Sequence, residues 1–371
     1  KILVKEIVNV GRYLTVTPTT TLENCDFLAL PGSTLYISHM KYQDELYGTF
    51  DIVEPVLVDL IESDGVQRLK LILQHGISAL VDMTPPVTRF EHSVGAMLIC
   101  RKLGATVKEQ IAALIHDVSH TAFSHVMDHV FDSAESQSYH DQVKEEFVSN
   151  TNIPQILANH GYKWRPFLLE ENYPILEQPS PRICADRLDY TLRDGLAFDF
   201  IGRDGIKLVM DSLIVCDGRP MFNNLEAANQ FSRVMIACDD FSWANFNEVG
   251  LYEMTSQTIK RAFVVGAITQ DDVWGTDAAV WQKIRQFDDA ELQRLRKTVT
   301  KNIQFEWNAE EPDFVLTTKI RTVDPDVNLN GQVKLLSEWD ADFKAHRESY
   351  LERKKGPWPM KLVSKMSTEL M

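Results

Sequence analysis

The stretch Leu114-Ile115-His116-Asp117-Val118-Ser119-His120-Thr121-Ala122-Phe123-Ser124-His125 decides the reading of this chain. It sets a histidine–aspartate doublet at the end of a strongly apolar run, Ile111 to Ile115. A histidine and an ionised carboxylate beside a buried stretch are costly unless a partner compensates. A bound divalent cation is such a partner. His120 follows His116 by four residues and shares its face if the helix continues. Upstream lies Arg89-Phe90-Glu91-His92-Ser93, and His125-Val126-Met127-Asp128 follows at once. Asp186-Arg187-Leu188-Asp189-Tyr190-Thr191-Leu192-Arg193-Asp194 comes later. Six of the ten histidines (His92, His116, His120, His125, His129, His140) fall between residues 92 and 140. Histidine is the commonest metal ligand and acid–base residue, so the cluster points to chemistry.

A catalytic metal takes three or four N/O ligands from rigid elements and keeps positions open. His92, the His116-Asp117 doublet and Asp186 supply two imidazoles and two carboxylates, each piece from a different expected helix. Such mixed ligation suits one divalent ion: Mn, Fe, Mg, Co or Zn. A second ion on His120, His125 and His140 is the alternative. Asp189 stands three residues after Asp186 and four before Arg193, which reads as a helix salt bridge rather than a ligand. His129 and His160 read as plain surface or core histidines.

The rest of the chain fits an ordinary soluble protein. It has 371 residues, 44% hydrophobic and 25% charged, enough for a full core. The net charge of -15 argues against binding a nucleic-acid polymer or a membrane surface, which need a basic face. A local basic pocket for a small polyanion stays compatible with it. Five scattered cysteines without a CxxC pair fit a reducing compartment. No apolar run approaches a membrane span, so the expected location is cytoplasmic or nuclear.

Residues 1–50 read as an extended N-terminal segment packing on the core, with a turn at Pro31-Gly32. Residues 51–270 read as a helical core. Helices are expected from Pro55 to a stop at Asp64-Gly65, then near 66–74, 91–103, 107–117, 122–131, 139–149, 183–194, 223–238 and 243–266. Residues 170–182, with three prolines, read as a loop. Residues 271–371 read as a small α+β lobe, with helices at 276–285, 288–299 and 337–354. Two strands, Phe314–Val323 and Gln332–Leu336, form a hairpin across the turn-rich Asp324–Gly331, and the tail after Gly356 reads as poorly ordered. The fold class expected is mostly α.

RFEHS, HDVSHTAFSH and DRLDYTLRD in this order resemble the HD-domain metal-dependent phosphohydrolases, closest to the deoxynucleoside triphosphate triphosphohydrolase-like branch. Tyr47-Gly48, Val66–Leu69 and Gln74-His75-Gly76 extend the resemblance, which covers roughly residues 42–195. It implies an HD helical bundle with His92, His116, Asp117 and Asp186 as metal ligands. It also implies Arg89, His120, His125 and His140 on the phosphate side, with Asp128 orienting His125. Arg187, Tyr190 and Asp194 would line the nucleotide pocket, with Gln74 near the sugar. Asp128 would raise the His125 pKa and fix its tautomer, making His125 a general acid. The chain departs from the pattern at Ser119, where Gly is usual, and at His75, where deoxy-selective members carry an apolar residue. The implied partner is a nucleotide, in a protein that could assemble as a homo-oligomer. The implied activity is (deoxy)nucleoside triphosphate triphosphohydrolysis. The alternatives are a phosphodiesterase or nucleotidase on cyclic or monophosphate nucleotides, and a non-catalytic nucleotide-binding regulator.

Overall fold

The helix Arg89–Lys102 sits where its composition sends it. Eleven of its fourteen residues are buried, and a helix that is apolar on most sides belongs in an interior. Thr88 starts it with a capping box: its Oγ1 accepts from Glu91 N, and its own N–H donates to Glu91 Oε2 at 2.8 Å. That cap sets Arg89 and His92 in the first turn. Gly104, at φ 77°, follows the end of the helix in the left-handed region that glycine favours. The helix packs between Val107–Ile115 and Ala185–Ala197. The computed structural model describes residues 39–131 and 138–363. The expected extended segment before residue 39, with its Pro31-Gly32 turn, lies outside the described residues, as do residues 364–371.

Two apolar cores share the molecule. One gathers around Arg89–Lys102, Val107–Ile115, Ala185–Ala197 and Leu225–Cys238. The other lies between Phe246–Val264, Asp277–Gln286 and Ala290–Thr298. Ile115 and Val118 belong to the first, whereas Ala122 and Phe123 belong to the second. The His116–His125 segment therefore crosses from one core to the other.

That crossing corrects the expected helices over 107–117 and 122–131. The first ends at Ile115, and only Val126–Val130 of the second is helical. Side chains from elsewhere satisfy the intervening backbone. Arg68 Nη2 donates to Val118 O at 3.0 Å and to His120 O, and Asp277 Oδ1 accepts from Phe123 N at 2.7 Å. Phe123 and Ser124 take positive φ there. With the backbone bonded from outside, helix is not needed. The expected stop at Asp64-Gly65 is instead the start of Asp64–Arg68, capped by Ser63. The helix expected over 66–74 gives way at Leu69–Leu71 to a single 3-10 turn. Ile153–Asn159 and Arg203–Asp211 are further helices.

Strands form three small sheets. Met40–Asp44 pairs antiparallel with Gly48–Ile52. A four-stranded sheet runs Leu213–Cys216, Arg219–Phe222, Asp326–Leu329, Gln332–Leu335. Its one parallel contact, Phe222 to Val327, ties the C-terminal elements to the helical core. The hairpin expected between 314–323 and 332–336 does not form. Gln332–Leu335 pairs with Asp326–Leu329 inside the presumed loop, and only Asn330-Gly331 makes the turn, both at positive φ. Phe314–Leu316 pairs with Trp358–Leu362, the central strand of the third sheet. The tail after Gly356 is thus ordered through Leu362, because Trp358 and Met360 are buried in the second core. Among the described residues, no helix is long and apolar enough to cross a membrane.

Arg89–Lys102 and Ala185–Ala197 meet at Gly95. A methyl added there overlaps the Asp189 carboxylate and the Arg193 guanidinium. These belong to a buried network in which Arg193 Nη2 donates to Asp44 Oδ2 and Asp189 Oδ1, both at 2.9 Å. Gly95→Ala should lower unfolding stability by about 1–3 kcal/mol, as overpacking does. An unchanged denaturant midpoint would contradict the close approach.

Candidate functional site

His92 and His116 face each other. His92 Nδ1 donates to Asp189 Oδ2 at 2.8 Å, and His116 Nδ1 donates to Ala113 O at 2.7 Å. Both partners only accept, so both neutral rings carry their proton on Nδ1 and turn the Nε2 lone pair inward. The two Nε2 atoms stand 3.2 Å apart. Asp186 Oδ1 lies 3.0 Å from His92 Nε2 and 3.6 Å from His116 Nε2. The Asp117 carboxylate lies 3.6 Å from each. The two ring nitrogens and the Asp117 carboxylate thus converge as one buried candidate metal group, and Asp186, more open to solvent, reaches it from the side of the rings.

This geometry fits a divalent ion. With metal–ligand bonds of about 2.1 Å, neighbouring ligand atoms stand about 3.0–3.4 Å apart in octahedral or tetrahedral sites. Facing lone pairs beside two carboxylates demand positive charge between them. Burial lowers the His92 pKa, but hydrogen bonds to Asp186 and Asp189 outweigh it and push the group up to about 10. His116 is likewise pushed up to about 9, Asp117 and Asp186 overcoming its burial. Asp117 is held well below the usual carboxylate range: burial opposes this, but Arg89 and the histidines outweigh it. Protons can meet that demand for charge, and so can one metal ion. Asp189 is structural, as expected, and makes the expected Arg193 contact at 2.9 Å. Its hold on His92 is the part that sequence reasoning missed.

The remaining histidines form a second wall. His120 stacks on His140 at 4.0 Å, and His125 meets His120 edge-on at 5.1 Å. His125 Nδ1 donates to Asp128 Oδ2 at 2.9 Å, while Asp128 Oδ1 accepts from Tyr139 N. Ser119 Oγ donates to His140 O at 2.9 Å, which gives this departure from the family pattern a bracing contact. Arg89 donates through Nε to Ser124 and through Nη1 to Asp117. Its Nη2 is buried without an acceptor. Burial pushes His120, His125 and His140 down, the last to about 4. For His125 this corrects the expected rise: Asp128 fixes the tautomer but does not overcome burial. The resting ring is neutral.

One cavity of about 390 Å³ joins these walls. Gln74, Arg187, Tyr190 and Asp194 line it, while Asp128 sits behind His125. Tyr190 meets Trp243 edge-on at 5.0 Å. Both Asp194 oxygens are already engaged, by His75 Nε2 at 3.0 Å and Trp243 Nε1 at 2.8 Å. His129 also lines the cavity, 3.8 Å from Glu253 and edge-on to Tyr252. His160 pairs with Asp59 at 2.6 Å, apart from the cavity lining. Sequence reasoning missed Glu170, Glu177, Glu248, Tyr252 and the segment Thr318–Thr322, all of which line the same space. No local motif marks them; only the tertiary fold brings them in.

The HD domain family model matches residues 89–194, the span that holds every candidate ligand described above. The metal-dependent phosphohydrolase cns2 of Cordyceps militaris is 38% identical over 298 residues, covering 78% of this chain and 85% of that protein. A crystal structure of a phosphohydrolase from Bacteroides thetaiotaomicron shares the fold, with a TM-score of 0.60 at 19% identity over 81% of this chain and 94% of that one. The deoxynucleoside triphosphate triphosphohydrolase SAMHD1 of Gallus gallus is 26% identical over 159 residues, 37% of this chain and 25% of that protein. The 38% identity to the metal-dependent phosphohydrolase cns2 across 85% of that protein, with the HD domain match over these converging imidazoles and carboxylates, places this chain in the family of HD-domain metal-dependent phosphohydrolases.

Proposed function

We propose that this phosphohydrolase acts on a nucleotide, with nucleoside triphosphates, deoxy or ribo, as the leading substrate class and tripolyphosphate as the product. The observation that carries this reading is one cavity with two unlike walls. One wall holds a metal-ligand set; the other holds Arg89 and three imidazoles. The relative named as a deoxynucleoside triphosphate triphosphohydrolase adds support. His92, His116, Asp117 and Asp186 would hold the ion, which would supply Lewis acidity toward a phosphoryl oxygen and a more acidic water when bound.

The chain's own residues do the rest. Arg89 Nη2, buried without an acceptor, is the donor that a non-bridging oxygen would satisfy. His125 stands to protonate the leaving oxygen. Because burial keeps it neutral in the resting state, it takes up its proton when the anionic substrate arrives and raises its basicity. Asp128 holds the ring so that Nε2 faces the cavity. Tyr190 and Trp243 offer an aromatic wall to the nucleoside. A monophosphate or cyclic ester is the second reading. It is favoured by the lining itself, where Asp117, Asp141, Glu170, Glu177, Asp186, Asp194 and Glu248 outnumber Arg89, Arg187, Lys319 and Arg321.

A nucleotide panel assayed with Mn, Mg, Fe and Co in turn, reading the released phosphate species, tests the substrate. Tripolyphosphate supports the leading reading; orthophosphate alone, from monophosphates only, replaces it with the second. Asp117→Ala should lose metal and activity together. His125→Ala should keep near-normal metal content while kcat falls by roughly 10²–10⁴; loss of metal in that variant would remove the acid role. A pH test follows from the neutral wall. The unfolded chain binds protons near 6.5 that the folded His140 refuses until about 4. The contribution of His140 to stability is therefore full above about pH 6.5 and is lost as pH drops toward 4. In chelator-treated protein, His140→Asn should lessen that loss by about 1–3 kcal/mol. Equal acid sensitivity of the two proteins would contradict it.

A further inference from the structure

We propose that Asp277 is a positioning residue of the reaction, setting His125 and Arg89 against the substrate from behind the cavity wall. The proposal rests on the reading of His125 as the acid and Arg89 as a donor to phosphate. Asp277 is not among the residues that line the cavity. It opens the helix Asp277–Gln286 beside the second core, and only 1% of it is exposed. Its two carboxylate oxygens accept from two backbone N–H groups that lie far apart in sequence. Oδ2 accepts from Leu73 N at 2.7 Å, and Oδ1 accepts from Phe123 N at 2.7 Å. Burial raises its pKa to about 6, against the pull of these two N–H groups, Arg89 and Arg68, so it is ionised at neutral pH. A charged acceptor makes both bonds stronger than a neutral one would.

Both bonds end on segments that carry the site. Leu73 forms an antiparallel bridge with Thr88, the residue before Arg89. Around that bridge Arg89 N donates to Ile72 O at 2.9 Å, and Gln74 N donates to Val87 O at 2.8 Å. Phe123 begins the turn that delivers His125. Phe123 and Ser124 both take positive φ, a conformation that costs energy in residues other than glycine and needs outside support. The bond from Phe123 N to Asp277 gives that support. Ser124 Oγ then ties the two segments together, donating to Leu73 O at 2.8 Å and accepting from Arg89 Nε at 2.9 Å. The segments touch closely, since a Cβ added to Gly76 would stand 2.5 Å from Phe123 O. Packed this tightly, one segment cannot shift without the other. A single carboxylate thus fixes the backbone that carries His125 and the hydroxyl that orients Arg89.

Steady-state kinetics of metal-replete full-length Asp277→Asn decide the matter. Asparagine keeps the volume, but its amide has one oxygen for two N–H groups and turns an NH2 toward the second. The kcat should fall by about tenfold to a hundredfold, as a misplacement of about 1 Å does. Metal content should stay near wild type, because the bonds of Asp277 go to Leu73 and Phe123 rather than to the metal-ligand set. The decisive comparison is the His125→Ala background. There the same substitution should cost a smaller factor, since a group that Asp277 positions is gone. A merely structural role would cost the same factor in both. An unchanged kcat in Asp277→Asn, a loss of metal, or an equal factor in the two backgrounds overturns the proposal. If Asp277→Asn does not fold, Ser124→Ala takes its place, because it cuts the link from Leu73 to Arg89, and the same outcomes overturn the proposal equally. If His125→Ala alone keeps the wild-type kcat, the acid reading fails by itself, and Asp277 is judged with Arg89→Ala as the background. Rates are read on the nucleotide hydrolysed fastest. Should the wild type hydrolyse glycerol 2-phosphate but no nucleotide, the nucleotide reading fails, and Asp277 is judged on that ester by the same criteria.

Discussion

Two imidazole nitrogens, 3.2 Å apart, each the lone-pair nitrogen of its neutral ring because the bond behind it holds the proton on Nδ1, are the constraint on which this structure turns. Neutral rings in that arrangement repel, and two carboxylates beside them add to the demand for a cation. The fold holds the arrangement from outside. Thr88 and Glu91 start the helix that carries His92. Asp189 orients its ring and is itself pinned by Arg193, which Asp44 shares. Gly95 lets the two helices come close enough for this contact. Outer partners of this kind tune metal affinity as much as the ligands do.

Much of the site was legible because its chemistry is expensive in an apolar setting. His116-Asp117 after Ile111–Ile115 needs compensation wherever it folds, and the structure places His92 and Asp186 against it. The pair of Asp189 with Arg193 was legible from spacing along one helix. Its bond to His92 was not, because that depends on how two helices cross. Residues 116–117 and 122–125 were misread as helical for a related reason. Apolar residues there keep a helical rhythm, yet they feed two different cores. Arg68 and Asp277, distant in sequence, bond the backbone that helix would otherwise satisfy. Arg187 lines the cavity as the motif implies, and what the motif does not show is that it also bonds Gln178 O and Glu177.

The C-terminal lobe enters the argument through burial rather than motif. Trp358 and Met360 pull the last described strand into the second core. Val327 pairs with Phe222 across the join. These contacts deliver Thr318–Thr322 to the cavity, where the lobe adds cations to a wall made acidic by the helical core. An acidic protein can in this way present a locally favourable path to an anion, and the overall charge of -15 does not decide against such a substrate.

The central claim is that the facing imidazoles of His92 and His116 hold a metal ion. Anomalous diffraction from crystals grown with Mn(II) tests it most directly. The account predicts one strong peak between the two Nε2 atoms, about 2.0–2.3 Å from each and in reach of Asp117 and Asp186. An empty position there, or a peak held only by His120, His125 and His140, would contradict it.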